Sequence, residues 1–321
     1  MKSPFISVVL LNWNGKRFID SFMEGFLKQN YPKDRMELLF VDNCSSDDSV
    51  DYFKNNYGKN KGVKIILNKK NLGYAGGNNE GLRKISGDYA LVCNNDLVME
   101  QDTIKELVLA AQKHNADVTS AKIMYLNRPG VINNAGSTLE KDSDWPIKEI
   151  GINEKDGPKY NADYEISAFC GAFILIKKSF LKTVGLFDDR FFLYFEDGDL
   201  SWRGQKKGKK YWLAASSVVR HYHTGSSEEG SPTFNHFVGR NRLLILTKNA
   251  KYRVLAKAWM KTFKEHFVIR IVRVLLSIKG KYPKKQAVHE LYLSAKMILA
   301  ALLLTPYALG KRYGILKENT I

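Results

Sequence analysis

Apolar runs and polar punctuation alternate through the first hundred residues. Ile6–Leu11 is an apolar run ending in Asn12-Trp13-Asn14-Gly15, after which Phe18, Ile19, Phe22 and Phe26 recur at helical spacing until Pro32. This predicts a strand followed by a helix. Met36–Val41 repeats the pattern and ends in Asp42-Asn43-Cys44-Ser45-Ser46-Asp47-Asp48, where Ser and Asp can cap a helix through Tyr52 and Phe53. Val63–Leu67 gives a third strand. The glycine-rich stretch Asn71-Leu72-Gly73-Tyr74-Ala75-Gly76-Gly77-Asn78-Asn79-Glu80-Gly81 then leads into a short helix ending near Gly87. A fourth strand, Tyr89–Cys93, runs straight into Asn94-Asn95-Asp96. Four alternations of strand and helix predict an α/β fold with a mostly parallel sheet and right-handed crossovers.

Polar residues gather where these strands end: Asn12, Asp42, Asn71 with Gly73 and Asn78, and Asn95 with Asp96. In a parallel sheet those ends share one edge, where open α/β folds bind ligands. A carboxylate such as Asp42 can accept from a nucleobase or ribose, and glycines let backbone approach phosphate. Asp96 can hold a hard divalent cation that in turn holds diphosphate oxygens, although Asn-Asn-Asp is also good turn chemistry. No G-x-G-x-x-G spacing is present, which disfavours a dinucleotide site.

A second acidic signal follows an aromatic run. Phe191-Phe192-Leu193-Tyr194-Phe195 precedes Glu196-Asp197-Gly198-Asp199. Three acids in a first helical turn suit the helix dipole, while carboxylates beside an apolar wall acquire the shifted pKa values of a general base. Farther on, His221 and His223 follow a predicted strand at Ala214–Val219 and, two apart on extended chain, can share a face.

Composition and charge add a second region. The 321 residues are 44% hydrophobic and 12% aromatic, enough for one large core or two smaller ones. Cys44, Cys93 and Cys170 make an odd set without metal-ligand spacing, pointing to a reducing compartment, and the N-terminal run reads as a strand rather than a signal peptide. Residues 125–165 are broken by Pro129, Gly130, Pro146, Gly151, Gly157 and Pro158 and read as an irregular insertion on the acceptor side, with Trp145 open to either loop packing or sugar stacking. From Arg240 to Ile321 there are 18 Lys and Arg against three acids, a net of +15 out of +17. There, Arg270, Arg273 and Ser277 form a stripe on an otherwise apolar segment, and Leu291–Leu309 is interrupted by Lys296 and Pro306. Both stretches read as amphipathic helices too broken to span a bilayer, lying on an anionic membrane surface or packing on protein. Their long aliphatic runs suit lipid better than nucleic acid.

The ordered motifs Val8–Asn14, Val41-Asp42-Asn43 with Ser45 and Asp47, Asn71-Leu72-Gly73 through Asn78, Asn94-Asn95-Asp96, Gly171-Ala172-Phe173, Gly185-Leu186-Phe187-Asp188, the Glu-Asp-Gly-Asp-Leu segment with Arg203, His221 with Ser226, and Arg240–Leu243 together resemble the family 2 inverting glycosyltransferases, and within them the bacterial rhamnosyltransferase subgroup. The resemblance covers roughly residues 5 to 247. It implies a GT-A fold over 1–247, with a nucleotide-binding half at 1–96 and an acceptor and catalytic half at 97–247, followed by a basic helical tail at 248–321. It further implies a nucleotide-diphosphate sugar donor, dTDP-rhamnose or a UDP-sugar, enclosed by Asn12, Asp42, Asn71, Gly73, Asn78, Asn95 and Asp96. Asp197 would be the base, with Glu196 and Asp199 shaping its surroundings, and Asp96 and His221 would bind Mg2+ or Mn2+. Asn94 stands where the family often has Asp, leaving one carboxylate fewer for the cation. The acceptor would be a saccharide or lipid-linked saccharide in cell-surface polysaccharide synthesis, met at the cytoplasmic membrane face. Neighbouring acids in one short segment can hardly flank a glycosidic bond, so hydrolysis is not expected. The readings from other classes are a non-catalytic sugar-nucleotide-binding module and a nucleic-acid binder acting through the basic tail.

Overall fold

The computed structural model describes residues 3–222 and 230–321, so the expectations for His223 and Ser226 lie outside the described residues. The chain divides into two compact units, one of residues 1–139, 147–225 and 318–321, the other of residues 140–146 and 226–317. Position 247, the boundary expected from the sequence, lies within the helix Pro232–Asn249.

In the first unit the elements run β1 (Ile6–Asn12), α1 (Lys16–Leu27), β2 (Met36–Asp42), α2 (Ser49–Asn56), β3 (Val63–Leu67), α3 (Gly73–Leu82), β4 (Tyr89–Asn94), β5 (Leu97–Met99), α4 (Thr103–Lys113), β6 (Val118–Tyr125), β7 (Ile132–Asn134), β8 (Ser137–Leu139), β9 (Ile147–Glu149), β10 (Tyr164–Ile166), β11 (Phe173–Lys177), α5 (Lys178–Val184), α6 (Glu196–Lys206) and β12 (Tyr211–His221). The main sheet has the order β10-β12-β6-β11-β4-β1-β2-β3, with β5 on β12 and β7 on β6. Strands β3, β2, β1 and β4 are mutually parallel, and β12 is parallel to β6. Strand β11 runs against both β4 and β6, so β6 and β12 point the same way as the first four. The sheet is thus mixed but mostly parallel, a GT-A architecture flanked by helices. The insertion is more regular than its punctuation predicts: β7 to β10 occupy it, and β8 pairs with β9 as a separate ribbon.

The strands read as continuous apolar runs because both faces are covered. Ile6, Val8 and Leu10 of β1 share one core with Ile19 and Phe22 of α1 and Phe53 of α2. Val9, on the other face, joins Leu82 of α3 and Phe180 and Leu181 of α5. Phe40 and Phe53 stack with ring centroids 3.8 Å apart; full burial of such a side chain stabilises by roughly 1.5–3 kcal/mol. Helix α3 lies tightly on the sheet because a Cβ on Gly81 would come within 2.5 Å of Val9. That close packing, rather than phosphate contact, accounts for a glycine in this helix.

In the second unit, α7 (Pro232–Asn249) and α8 (Tyr252–Phe263) are followed by a single π-turn (Lys264–Val268), α9 (Ile269–Ile278) and α10 (Lys284–Arg312). Helix α10 continues through Pro306 and is long and apolar enough, by length and composition, to cross a membrane. The reading that Lys296 and Pro306 leave this stretch too broken to span a bilayer is thus not met on length and composition. The 140–146 segment belongs to this unit: Asp142 pairs with Lys251 and Arg253, and Asp144 with Arg242 and Lys261. Trp145 packs beneath the Arg242 guanidinium, 5.8 Å from its ring, in line with loop packing.

Candidate active site

Strand direction brings the predicted residues to one edge. The carboxyl ends of β1, β2 and β4 carry Asn12, Asp42 and Asn94, and β12, parallel to them, ends at His221. Gly171 precedes β11, whose reversed direction puts its amino end at the same edge.

Asn12 and Asp42 are register partners on β1 and β2, both buried. The Asn12 amide donates to Asp42 Oδ1 at 3.0 Å and to Ser49 Oγ at 2.9 Å, and its own oxygen accepts from Asn95 at 2.9 Å. Asp42 also receives the Ser45 hydroxyl at 2.6 Å and the Ser45 amide at 3.0 Å. Each of its oxygens is occupied at least once, so this carboxylate first builds the pocket floor and then presents its remaining lone pair. Asn43 does for the glycine-rich loop what Asn12 does for the floor. Its amide donates to Asn71 Oδ1 and to the Gly73 carbonyl, and its oxygen accepts from Leu72 N. Sequence reasoning placed Asn43 in a motif without giving it a role. Asn78 is fully buried; its amide donates to the Tyr74 carbonyl at 3.0 Å, while its Oδ1 has no hydrogen-bond partner.

Asp96 and His221 meet directly, with Oδ1 3.0 Å from Nε2, both side chains buried. On the far side of the ring, Nδ1 is 3.1 Å from Asn133 Oδ1. When Nδ1–H donates to that oxygen, Nε2 carries the ring's lone pair and faces the carboxylate, so both groups offer electron pairs to the same point. No cluster of three or more His, Cys, Asp or Glu ligands occurs among the described residues. A carboxylate and an imidazole do fit a divalent ion that takes its remaining ligands from phosphate oxygens and water. Asn133 sits in the insertion read as irregular, and nothing in its sequence setting marked it.

The acidic segment is held in strained backbone. Phe192, Tyr194 and Phe195 have φ of 65°, 69° and 67°, a region that bulky L-residues rarely enter, and such outliers concentrate at functional sites. Phe195 then starts α6, placing Glu196 and Asp197 in its first turn. Asp197 Oδ2 accepts from the Gly171 amide at 2.8 Å and Oδ1 from Gly198 N at 2.7 Å. Burial raises its pKa against the pull of those amides. Glu196 is raised well above the ordinary carboxylate range, by burial first and then by the charge of Asp197, and its Oε2 has no hydrogen-bond partner. The two amides favour the ionised form of Asp197, whereas burial and the neighbouring carboxylate favour the protonated form of Glu196. Tyr74 ties the glycine-rich loop to this segment by donating to the Gly171 carbonyl at 2.6 Å. Asp199 turns away from this chemistry: it binds Arg203 at 2.7 Å, and Arg203 also caps the carbonyls of Val184 and Leu186.

The chain is 26% identical over 126 residues to the poly(ribitol-phosphate) β-N-acetylglucosaminyltransferase TarS of Staphylococcus aureus, 39% of this chain and 22% of that protein. It is 27% identical over 175 residues to the low-salt glycan biosynthesis hexosyltransferase Agl10 of Haloferax volcanii, covering 53% of this chain and 54% of the relative. The matches thus span about a fifth and about half of these relatives' lengths. Among solved structures, the mannosyltransferase PcManGT of Pyrobaculum calidifontis in complex with GDP-Man and Mn2+ superposes with a TM-score of 0.57 at 14% identity, covering 95% of this chain and 88% of that one. TarS 1–349 in complex with UDP-GlcNAc gives 0.55 at 15% identity, over 97% and 92%. The glycosyl transferase family 2 model matches residues 7–185, which include the pocket floor, the glycine-rich loop, Asp96 and Gly171. With fold, edge and motif order in agreement, the chain belongs to glycosyl transferase family 2.

Proposed function

We propose that this enzyme moves a sugar from a nucleotide-diphosphate donor to a saccharide or lipid-linked saccharide by single displacement, inverting the anomeric centre. The observation that carries this reading is the Glu196–Asp197 pair, fixed by the Gly171 amide at the edge that also holds Asn12, Asp42 and Asp96–His221. Asn12, Asp42, Asn71, Gly73, Asn78 and Asn95 enclose the nucleoside, with Asn78 buried beneath the glycine-rich loop. Asp197 takes the proton of the attacking hydroxyl; that oxygen bonds to the anomeric carbon as the bond to the diphosphate oxygen breaks. Protonated Glu196 adds no second negative charge beside it. Asp96 and His221 would hold Mg2+ or Mn2+, which supplies positive charge to the departing diphosphate.

A UDP-sugar is the preferred donor, supported by the UDP-GlcNAc bound to TarS, one of the solved structures of this fold. Neither relative nor solved structure described above is a rhamnosyltransferase, so dTDP-rhamnose ranks below it. The net +15 of residues 240–321 supports work at an anionic, cytoplasmic membrane face. A non-catalytic module or nucleic-acid binder would have no use for a strained acidic turn. A panel of nucleotide-sugars with Mn2+ tests the proposal by thermal shift. The true donor at about 100 times its Kd should add about 2.7 kcal/mol to stability, whereas no response from any nucleotide-sugar would refute it.

A further inference from the structure

Helix α9 is folded the wrong way round for water. An amphipathic helix on a soluble protein turns its apolar stripe inward and its charges outward. Here His266, Arg270, Arg273 and Ser277, spaced four, three and four apart, face α10. Arg270 and Arg273 both bind Glu290 of α10, at 2.7 and 2.6 Å, and Glu290 also accepts from Tyr282 and Gln286. His266 Nδ1 lies 3.4 Å from Ser294 Oγ, and Ser277 and Ser294 are buried. The outward side is apolar: Phe267, Val268, Ile271, Val272, Leu275 and Ile278 are exposed, Ile278 by 73%.

Helix α10 matches it. Val288, Tyr292, Leu299, Leu302 and Leu303 form an exposed stripe at helical spacing, broken by the exposed Lys296, and Leu303 is 72% exposed. Most of the exposed large apolar side chains among the described residues lie beyond residue 251. Leaving one such side chain in water rather than burying it forgoes roughly 1.5–3 kcal/mol, so a polar interior with an apolar exterior is the worse arrangement in water. In lipid the preference reverses, because charged side chains there turn inward and pair with one another.

We propose that the hairpin of α9 and α10 is embedded in a lipid bilayer, with the Phe267–Ile278 and Val288–Leu303 faces against acyl chains. The inference rests on the reading that this enzyme works at a membrane, and it changes what makes the attachment. The sequence left the Arg270–Arg273 stripe open to lipid headgroups or to packing on protein; the structure pairs that stripe with Glu290. The headgroup contacts fall instead to the exposed lysines of the turn, Lys279, Lys281, Lys284 and Lys285. Four lysines at the turn oppose its transfer across the bilayer, so the turn stays with the headgroups of the leaflet that the hairpin enters.

The test is flotation of the full chain with vesicles of phosphatidylcholine alone or with phosphatidylglycerol, at low salt and at about 1 M sodium chloride, where the screening length falls to about 3 Å. Attachment that survives high salt is expected. Leu275→Glu and Leu303→Glu should each abolish the salt-resistant fraction, while leaving unchanged both the melting temperature of the lipid-free protein and its stabilisation by donor nucleotide. Attachment to anionic vesicles that disappears entirely at high salt overturns the embedding but leaves the membrane reading intact. No attachment to either vesicle, with a dimer in solution that Leu303→Glu dissociates, overturns both in favour of a second copy of this chain. A lower melting temperature for either variant without lipid also overturns the proposal, since it would make these faces part of a protein core.

Discussion

His221 Nε2 faces Asp96 Oδ1 across 3.0 Å, joining the last residue of β12 to the turn after β4, 125 positions apart in the chain. The proposed function makes this contact a two-ligand half-site for the cation. Asp96→Ala and His221→Ala should each remove the Mn2+-dependent part of donor binding, measured by titration calorimetry with and without EDTA, while far-ultraviolet circular dichroism stays unchanged. Donor affinity and turnover that persist in EDTA would show that the pair is an ordinary ion pair.

Glu196 carries a pH signature. Its folded pKa is raised, so the protonated form is the one the fold favours, and its contribution is complete below the ordinary carboxylate range. That contribution is lost as pH climbs through the raised value. Glu196→Gln should therefore melt at nearly the wild-type temperature at about pH 4 and increasingly above it toward alkaline pH, since the amide never has to ionise. Parallel melting curves across the whole range would contradict the burial argument.

Gly73 marks the contact between the glycine-rich loop and the aromatic run. Its φ is +71°, and a Cβ there would collide with the Phe192 carbonyl oxygen and ring. Gly73→Ala should cost more than about 2 kcal/mol in urea denaturation, a left-handed penalty plus displacement of the segment that aims Asp197. A cost near zero would mean that loop and acidic segment move independently.

Much of the candidate-site edge was legible in the sequence because parallel strands buried on both faces must be apolar throughout, so the polar residues after each run mark the strand end. Asn12, Asp42 and Asp96 were found that way. The Asn43 and Asn133 contacts were not, because a side chain that braces another is defined by tertiary approach and carries no local signature. The burial of Glu196 and Asp197 was suggested by their aromatic neighbours, but the Gly171 amide that holds the Asp197 carboxylate lies 26 positions away from it. In the tail, periodicity identified the Arg270–Arg273 stripe without saying which way it faces, and the structure pairs it with Glu290. Pro306 does not break α10, which runs through it as a single helix.

The most direct test of the account is transfer itself, followed by NMR of the anomeric proton with the donor identified by the panel and a lipid-linked or oligosaccharide acceptor. Wild-type enzyme should give product of inverted anomeric configuration. Asp197→Asn should bind donor with unchanged affinity and transfer it roughly a hundredfold or more slowly, the range expected on losing a general base. Retained configuration, or near-normal turnover in Asp197→Asn, would contradict the mechanism at its centre.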